Sequence, residues 1–361
     1  MGANMTGRPD RLSQRPGRLG GGMGDCKAAV PGGDPLSDVL ETVRLRGALF
    51  FLWEPSWPYA TCVPRGERFG ALILPGAEQI VSYHIVVEGP CWGLVEGEAP
   101  LPLESGDILL LPHGDAYAIS DRPQLPATES AAVGDAEGIE FFRLMAAGEL
   151  PPVVVDGGGG PQRNRIICGF LGCERQPRNS LLGSLPRLLR VPAPRGDDPL
   201  APLIDFALAA SRQSEGGERC LLMRLSETLF VEVLRRYLRT APAGEGGWLQ
   251  ALRDPLVGRA LALMHRRPAE GWTLARLAAE VGASRSTLAE HFSGLLGEPP
   301  MQYLASWRMQ LAARRLADGR SKVAAVAREV GYESEAAFSR AFKRATGVTA
   351  RDWRAGRRAD D

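Results

Sequence analysis

Apolar positions recur with two different periods along this chain, and the change of period divides it. Over residues 35–122 the apolar runs are short and often alternate with polar ones. They cover 49–53 (Leu-Phe-Phe-Leu-Trp), 68–74 (Arg-Phe-Gly-Ala-Leu-Ile-Leu), 81–87 (Val-Ser-Tyr-His-Ile-Val-Val) and 108–111 (Ile-Leu-Leu-Leu). Gly and Pro punctuate them, which predicts the strands of a sandwich or barrel. A helix with Leu36, Val39, Leu40 and Val43 on one face precedes them. From residue 197 onward the period turns helical. Leu203, Phe206, Ala207 and Ala210 make one stripe, and Leu221, Leu222, Leu225, Leu229, Val233 and Leu234 make a second that ends near Pro242. One face of these helices must pack on the strands. The broad apolar arc of the second leaves surface for another copy of the chain.

The last hundred residues contain a repeat. Glu-Val-Gly occurs at Gly282 and again at Gly331, 49 residues on. After one inserted residue, Ser284/Ser334, Leu288/Phe338, Phe292/Phe342 and Gly297/Gly347 follow at an offset of 50. Each copy reads as a support helix, a glycine turn and a second helix capped by serine. Leu288 with Phe292, and Phe338 with Phe342, are spaced i, i+4 and face inward. The outward positions are Arg285, Ser286, Ala289 and Glu290 in the first copy. In the second they are Glu335, Ala336, Ser339 and Arg340, followed by Lys343 and Arg344. One such pattern is compatible with an ordinary helical hairpin; two at matched spacing point to a pair of helix-turn-helix units, at about 273–295 and 321–344.

Residues 256–354 resemble the DNA-binding domain of AraC/XylS-type transcriptional regulators. The resemblance is carried by Leu277-Ala278, Gly282-x-Ser284, Leu288-x3-Phe292, Gly297-x2-Pro300-x2-Tyr303, Arg308 and Ala312. It continues through Ala327, Gly331-Tyr332-x-Ser334, Phe338-Ser339-Arg340-x-Phe342-Lys343 and Gly347 to Trp353-Arg354. Ala350 departs from it, since the family usually has Pro there. The resemblance implies a double-stranded DNA operator read in two successive major grooves, about 34 Å apart. It also implies subunit pairing and, for an activator, contact with RNA polymerase. Arg340 is the first candidate for a base contact, because a guanidinium fork matches guanine O6 and N7. Ser286, Glu290, Glu335 and Ser339 are further base-facing candidates, with Ala289 and Ala336 beside them. Arg285, Lys343 and Arg344 are placed to hold phosphates.

Residues 106–117 (Gly-Asp-Ile-Leu-Leu-Leu-Pro-His-Gly-Asp-Ala-Tyr) resemble the second motif of cupin barrels, Gly-x5-Pro-x-Gly-x2-His. Residues 83–89 (Tyr-His-Ile-Val-Val-Glu-Gly) resemble the first. Together they suggest the cupin-type sensor domain of one branch of AraC/XylS regulators. The departures matter: Tyr117 stands at the final His of the second motif, and Val86 at the second His of the first. His84 and Glu88 alone are a weak ligand pair, so no metal and no cofactor are expected. The alternative is a cupin metallo-enzyme fused to a DNA-binding module. Phe69, Leu72, Tyr83, His84, Trp92 and Tyr117 are candidates for an effector pocket, and Cys62 and Cys91 for an oxidant sensor. A small apolar or aromatic effector, of unknown identity, is preferred, since no Lys or Arg adjoins either cysteine to lower its pKa.

Composition sharpens this division. The net charge of +1 hides 18 Lys and Arg against 11 Asp and Glu in residues 255–361, a net of +7, and −6 in the remainder. A positive field over the repeat favours phosphate. The six cysteines have no metal-ligand spacing. The Gly157–Gly160 run lacks the Lys-Ser/Thr of a phosphate loop. No run approaches the ~18–20 apolar residues of a membrane span. The expected organisation is α+β and multidomain. Residues 1–34 read as a disordered leader without an export signal, hence a cytoplasmic protein. A cupin-like β-barrel sensor follows (35–196), then a helical dimerisation segment (197–240), a linker (241–253) and an all-α DNA-binding domain (254–361).

Overall fold

The computed structural model describes residues 34–42, 46–124, 131–151, 153–173, 177, 180–193, 198–210, 217–240, 247–319 and 321–356. Residues 1–33 of the leader, Val43 and residues 241–246 of the linker lie outside the described residues. No described helix is long and apolar enough to cross a membrane.

Helix α1 (Pro35–Thr42) is followed by β1 (Arg46–Ser56), β2 (Ala60–Val63), α2 (Gly66–Ile73), β3 (Gln79–Glu88) and β4 (Cys91–Val95). Next come β5 (Leu101–Leu103), β6 (Ile108–Leu111), β7 (Tyr117–Ser120), α3 (Ala131–Ala146), β8 (Val153–Gly157), β9 (Arg165–Cys173), α4 (Ser180–Ser184) and β10 (Leu189–Val191). The strands form a six-stranded sheet, in the order β10-β6-β3-β9-β1-β8, and a four-stranded sheet, β2-β7-β4-β5. The two pack through one apolar core that takes Val86, Leu109 and Phe170 from the first sheet and Val95, Leu103 and Ile119 from the second. No strand pairs across them among the described residues, so hydrogen bonding does not close the expected barrel.

Alternation assigns the faces of the large sheet. On β3, Ile80 and Val86 enter the core between the sheets, whereas Val81, Tyr83 and Ile85 enter a second core on the opposite face. Helices α5 (Leu200–Ala210) and α6 (Glu218–Thr240) cover that opposite face. Leu222, Leu225, Leu229, Val233 and Leu234 are buried there, so most of the apolar arc of α6 serves its own sheet. Leu221 and Phe206, 44% and 49% exposed, are the large apolar side chains these helices leave outside. In α5, Leu200 and Ile204 join Ala207 and Ala210 on the buried side, and Phe206 leaves the expected stripe. Gly169 pairs with Tyr83 across β9 and β3, and a Cβ there would stand 2.1 Å from the Tyr83 ring. The phenol lies over this glycine and its hydroxyl bonds Ser226 of α6.

Residues 68–74 correct the strand expected there, because 68–73 belong to helix α2 and Leu74 caps it. Phe69, Gly70 and Ile73 are buried and Leu72 is 41% exposed. Gly66 and Gly70, one helical turn apart, let α2 sit on β3: a Cβ on either would lie 2.9 Å from the Ile80 side chain. The same short apolar run fits both periods, and the i, i+4 glycine pair decides between them.

The C-terminal domain comprises α7 (Trp248–Arg253), α8 (Val257–Arg266), α9 (Leu274–Val281), α10 (Arg285–Leu296), α11 (Pro300–Ala317), α12 (Val323–Glu329), α13 (Glu335–Thr346) and α14 (Ala350–Gly356). Trp248, read as linker from the sequence, is fully buried in α7 and donates from Nε1 to the Tyr303 hydroxyl at 2.7 Å. Helix α1 packs on α8 and α11, where Asp38 lies 3.6 Å from His265 and Glu41 pairs with Arg314 at 3.0 Å.

Candidate functional site

Each helix-turn-helix copy is built from local chemistry. Ser284 accepts a hydrogen bond from Thr287 N at 3.1 Å, and Ser334 one from Ala337 N at 3.2 Å. These bonds satisfy amides that α10 and α13 leave open at their first turns. Gly282 (φ 73°) and Gly331 (φ 87°) hold the left-handed turns. Leu288 and Phe292, and Phe338 and Phe342, are fully buried, each worth about 1.5–3 kcal/mol. With the inner face fixed, the opposite face is presented to solvent. Arg285, Ser286, Glu290, Glu335, Ala336, Arg340, Lys343 and Arg344 are exposed, and Ala289 and Ser339 half-exposed. Arg340, Lys343 and Arg344 make no ion pair among the described residues, which leaves three cations along one helix open to phosphate or base edges.

The sheet domain contains a cavity of about 260 Å³. Its walls are aromatic: Phe51, Trp53, Phe141, Phe142 and Phe170. His84 and Cys168 are fully buried at its floor; Ala60, Thr61, Cys62, Val63, Gly138 and the exposed Asp156 are at its mouth. His84 Nδ1 lies 3.1 Å from Cys168 Sγ and Nε2 lies 2.6 Å from the Tyr117 hydroxyl, so neighbouring side chains engage both ring nitrogens. Burial lowers the imidazole pKa to about 3, which keeps it neutral, and holds the Cys168 thiol well above its ordinary value. Trp53 Nε1 donates to Asp156 Oδ1 at 2.7 Å, while partial desolvation raises the Asp156 pKa.

Of the six pocket candidates read from the sequence, His84 lines this cavity. Tyr83 is its neighbour on β3 and therefore faces the other side of the sheet. Phe69 stands behind the wall, stacked on Phe142 at 3.9 Å, and Tyr117 stands behind His84. Leu72 is on the solvent side of α2, and Trp92 on the half-exposed face of β4. Cys62 is at the mouth, whereas Cys91 is buried in the core, where burial pushes its thiol up to about 12. Cys62 pairs with Ala118, which pairs with Leu94, three residues from Cys91. Strand spacing then separates the two cysteines by roughly 14 Å, too far for a disulfide. Glu88 is at the surface beside Arg165 at 3.5 Å, away from His84. The described residues contain no group of three or more His, Cys, Asp or Glu arranged to hold a metal.

Sequence reasoning missed the aromatic walls and Asp156. Phe141 and Phe142 come from α3, and Asp156 meets Trp53 only through the parallel pairing of β8 with β1. The period-2 alternation of 165–173 was the usable signal, since it places Cys168 and Phe170 on one face.

The family described as Cupin matches residues 34–239, and that described as a helix-turn-helix domain matches residues 277–356. A protein from Streptomyces antibioticus named an AraC-like transcription regulator is 33% identical over 327 residues, 89% of this chain and 98% of that protein. The HTH-type transcriptional regulator AlkR of Acinetobacter baylyi is 27% identical over 74% of this chain and 85% of its own length. Among solved structures, fatty-acid-bound ToxT from Vibrio cholerae is 12% identical, with a TM-score of 0.33, covering 85% of this chain and 95% of ToxT. The relatives are named regulators and not enzymes, and the alternative of a fused metallo-enzyme has no support among them. A cupin-like sheet domain joined to two Ser-capped helix-turn-helix units, together with this likeness along nearly the whole chain, places the protein among the AraC-like, DNA-binding transcriptional regulators.

Proposed function

We propose that the protein reads a bipartite operator with α10 and α13 in successive major grooves, and that occupancy of the sheet-domain cavity alters this binding. The observation that carries the first part is the matched pair of capped helices, each with its inner face buried and its candidate side chains outward. Arg340 is the base-reading residue, and Arg285, Lys343 and Arg344 hold phosphates. The cavity's aromatic lining supports a small organic effector. It favours this over oxidant sensing, because burial keeps Cys91 and Cys168 as unreactive thiols. The exposed Phe206 and Leu221 on α5 and α6 support subunit pairing through these helices, and on this reading the protein acts as a homodimer in the cytoplasm. An activator of this kind would also touch RNA polymerase.

The test is selection of bound duplexes from a random pool with the full chain, followed by affinity measurements across salt. The expected result is one enriched bipartite sequence and a steep fall of affinity with salt. Enrichment of no sequence would refute the reading. For the sensor, oxidant treatment of the wild type and a Cys62→Ser/Cys91→Ser variant should alter DNA affinity in neither. Oxidant switching seen only in the wild type would move the signal to the thiols.

A further inference from the structure

We infer that the sheet-domain cavity takes an aromatic organic cation, an amine carried on one or two fused rings, with its ammonium at Asp156 and its rings between the aromatic walls. This deepens the effector reading and rests on it. The cavity offers apolar area and very little charge. Among the described residues no Lys or Arg lines it, and Asp156 is the carboxylate in its lining. His84 supplies no positive charge, because burial keeps it neutral and both ring nitrogens are engaged. The formal charge at the cavity is therefore negative, and a carboxylate ligand would enter without a counter-ion and against Asp156.

A cation gains on two counts. Trp53 fixes one carboxylate oxygen, Oδ1, at 2.7 Å, and Oδ2 has no side-chain partner among the described residues. Trp53 and Phe51 also line the cavity, and the faces of such rings carry negative quadrupoles that attract an ammonium. The position of Asp156 at the exposed mouth lets the ammonium keep part of its hydration while the rings go inward. Size agrees. A dry apolar cavity of about 150 Å³ accommodates benzene, so about 260 Å³ suits a fused bicyclic ring with a short arm.

Three indoles of similar size separate the charge classes: tryptamine as cation, 3-methylindole as neutral ring and indole-3-acetate as anion. Calorimetric titration of the full chain should show tryptamine bound at least about 10-fold tighter than 3-methylindole, with indole-3-acetate weakest. Asp156→Asn keeps an acceptor oxygen for Trp53. It should bring tryptamine down to the 3-methylindole affinity and leave 3-methylindole unchanged. Equal binding of cation and neutral ring, tightest binding of the anion, or tryptamine binding insensitive to Asp156→Asn would overturn the cation assignment while keeping the cavity as a ligand site. Binding of none of the three would overturn the effector reading as well. The wild-type ranking decides the matter even where the variant does not fold.

Discussion

The two helix-turn-helix copies share a sequence pattern and differ in what surrounds them. The first, α9 and α10, is part of one continuous apolar cluster. That cluster runs from the helix-covered face of the large sheet through Trp248 and Leu261 to Leu288, Phe292 and Tyr303. The second, α12 and α13, has its own small core around Phe338, Phe342 and Trp353. Residues at equivalent steps show the difference. Six residues after Gly297, Tyr303 shares its hydroxyl between Trp248 Nε1 and His265 Nε2, both at 2.7 Å. Six residues after Gly347, Trp353 donates to the Ala313 carbonyl at 3.1 Å, within the second copy's own core. The outward faces differ in charge as well: α10 offers Arg285 with Glu290, whereas α13 offers Arg340, Lys343 and Arg344 with Glu335. A repeat can thus keep the shape of a unit while one copy joins the core that reaches the large sheet and the other has its own core and more positive charge on its outward face.

The turns should break this equivalence most sharply. Gly282 has open space around a Cβ, but at Gly331 a Cβ would stand 2.8 Å from the backbone of Ala269. Gly282→Ala should cost about 1–2 kcal/mol, the left-handed penalty alone. Gly331→Ala should cost roughly 2–4 kcal/mol, because the α8–α9 loop must also move. It should also disturb Arg308, which bonds the Pro268 and Glu270 carbonyls at 2.7 Å and that of Gly331 at 3.4 Å and so ties the two copies together. Equal losses in chemical denaturation would show that the second turn is not packed as described.

On DNA, Arg340→Ala should cost about 1–3 kcal/mol and relax preference at one base position. Arg285→Ala should weaken all sequences alike and lower the salt slope by about one. Equal loss on specific and random duplexes for Arg340→Ala would make it a phosphate contact. Tyr303→Phe removes the partner of two buried nitrogens and should lower stability by roughly 1–3 kcal/mol. Phe338→Tyr, which adds a hydroxyl to the separate second core, should leave the Trp248 indole environment unchanged in fluorescence. The smallest effects belong to the caps. Ser284→Ala and Ser334→Ala should each cost about 1 kcal/mol, equally in both copies. A clear inequality in thermal melts would mean that one cap bond is not made.

The same contrast explains what the sequence revealed. The helix-turn-helix units were legible because their determinants are local: Ser284 caps within three residues, and Leu288 meets Phe292 within four. The cavity was not legible, because it depends on strand register over long separations. His84 meets Cys168 across 84 residues and Trp53 meets Asp156 across 103. Alternation alone would have separated Tyr83 from His84, but it cannot say which neighbouring strands complete the floor. Residues 68–74 failed for a different reason: a short apolar run fits either period, and the packing of Gly66 and Gly70 on Ile80 chose the helix.

The central claim is that both copies read DNA, and that they read it differently. Selection of duplexes bound by the full chain, repeated with Arg340→Ala, tests it directly. The account predicts two enriched blocks about one helical turn, ~10 base pairs, apart, of which the variant degrades one and leaves the other intact. A single block, or two blocks weakened alike, would contradict it.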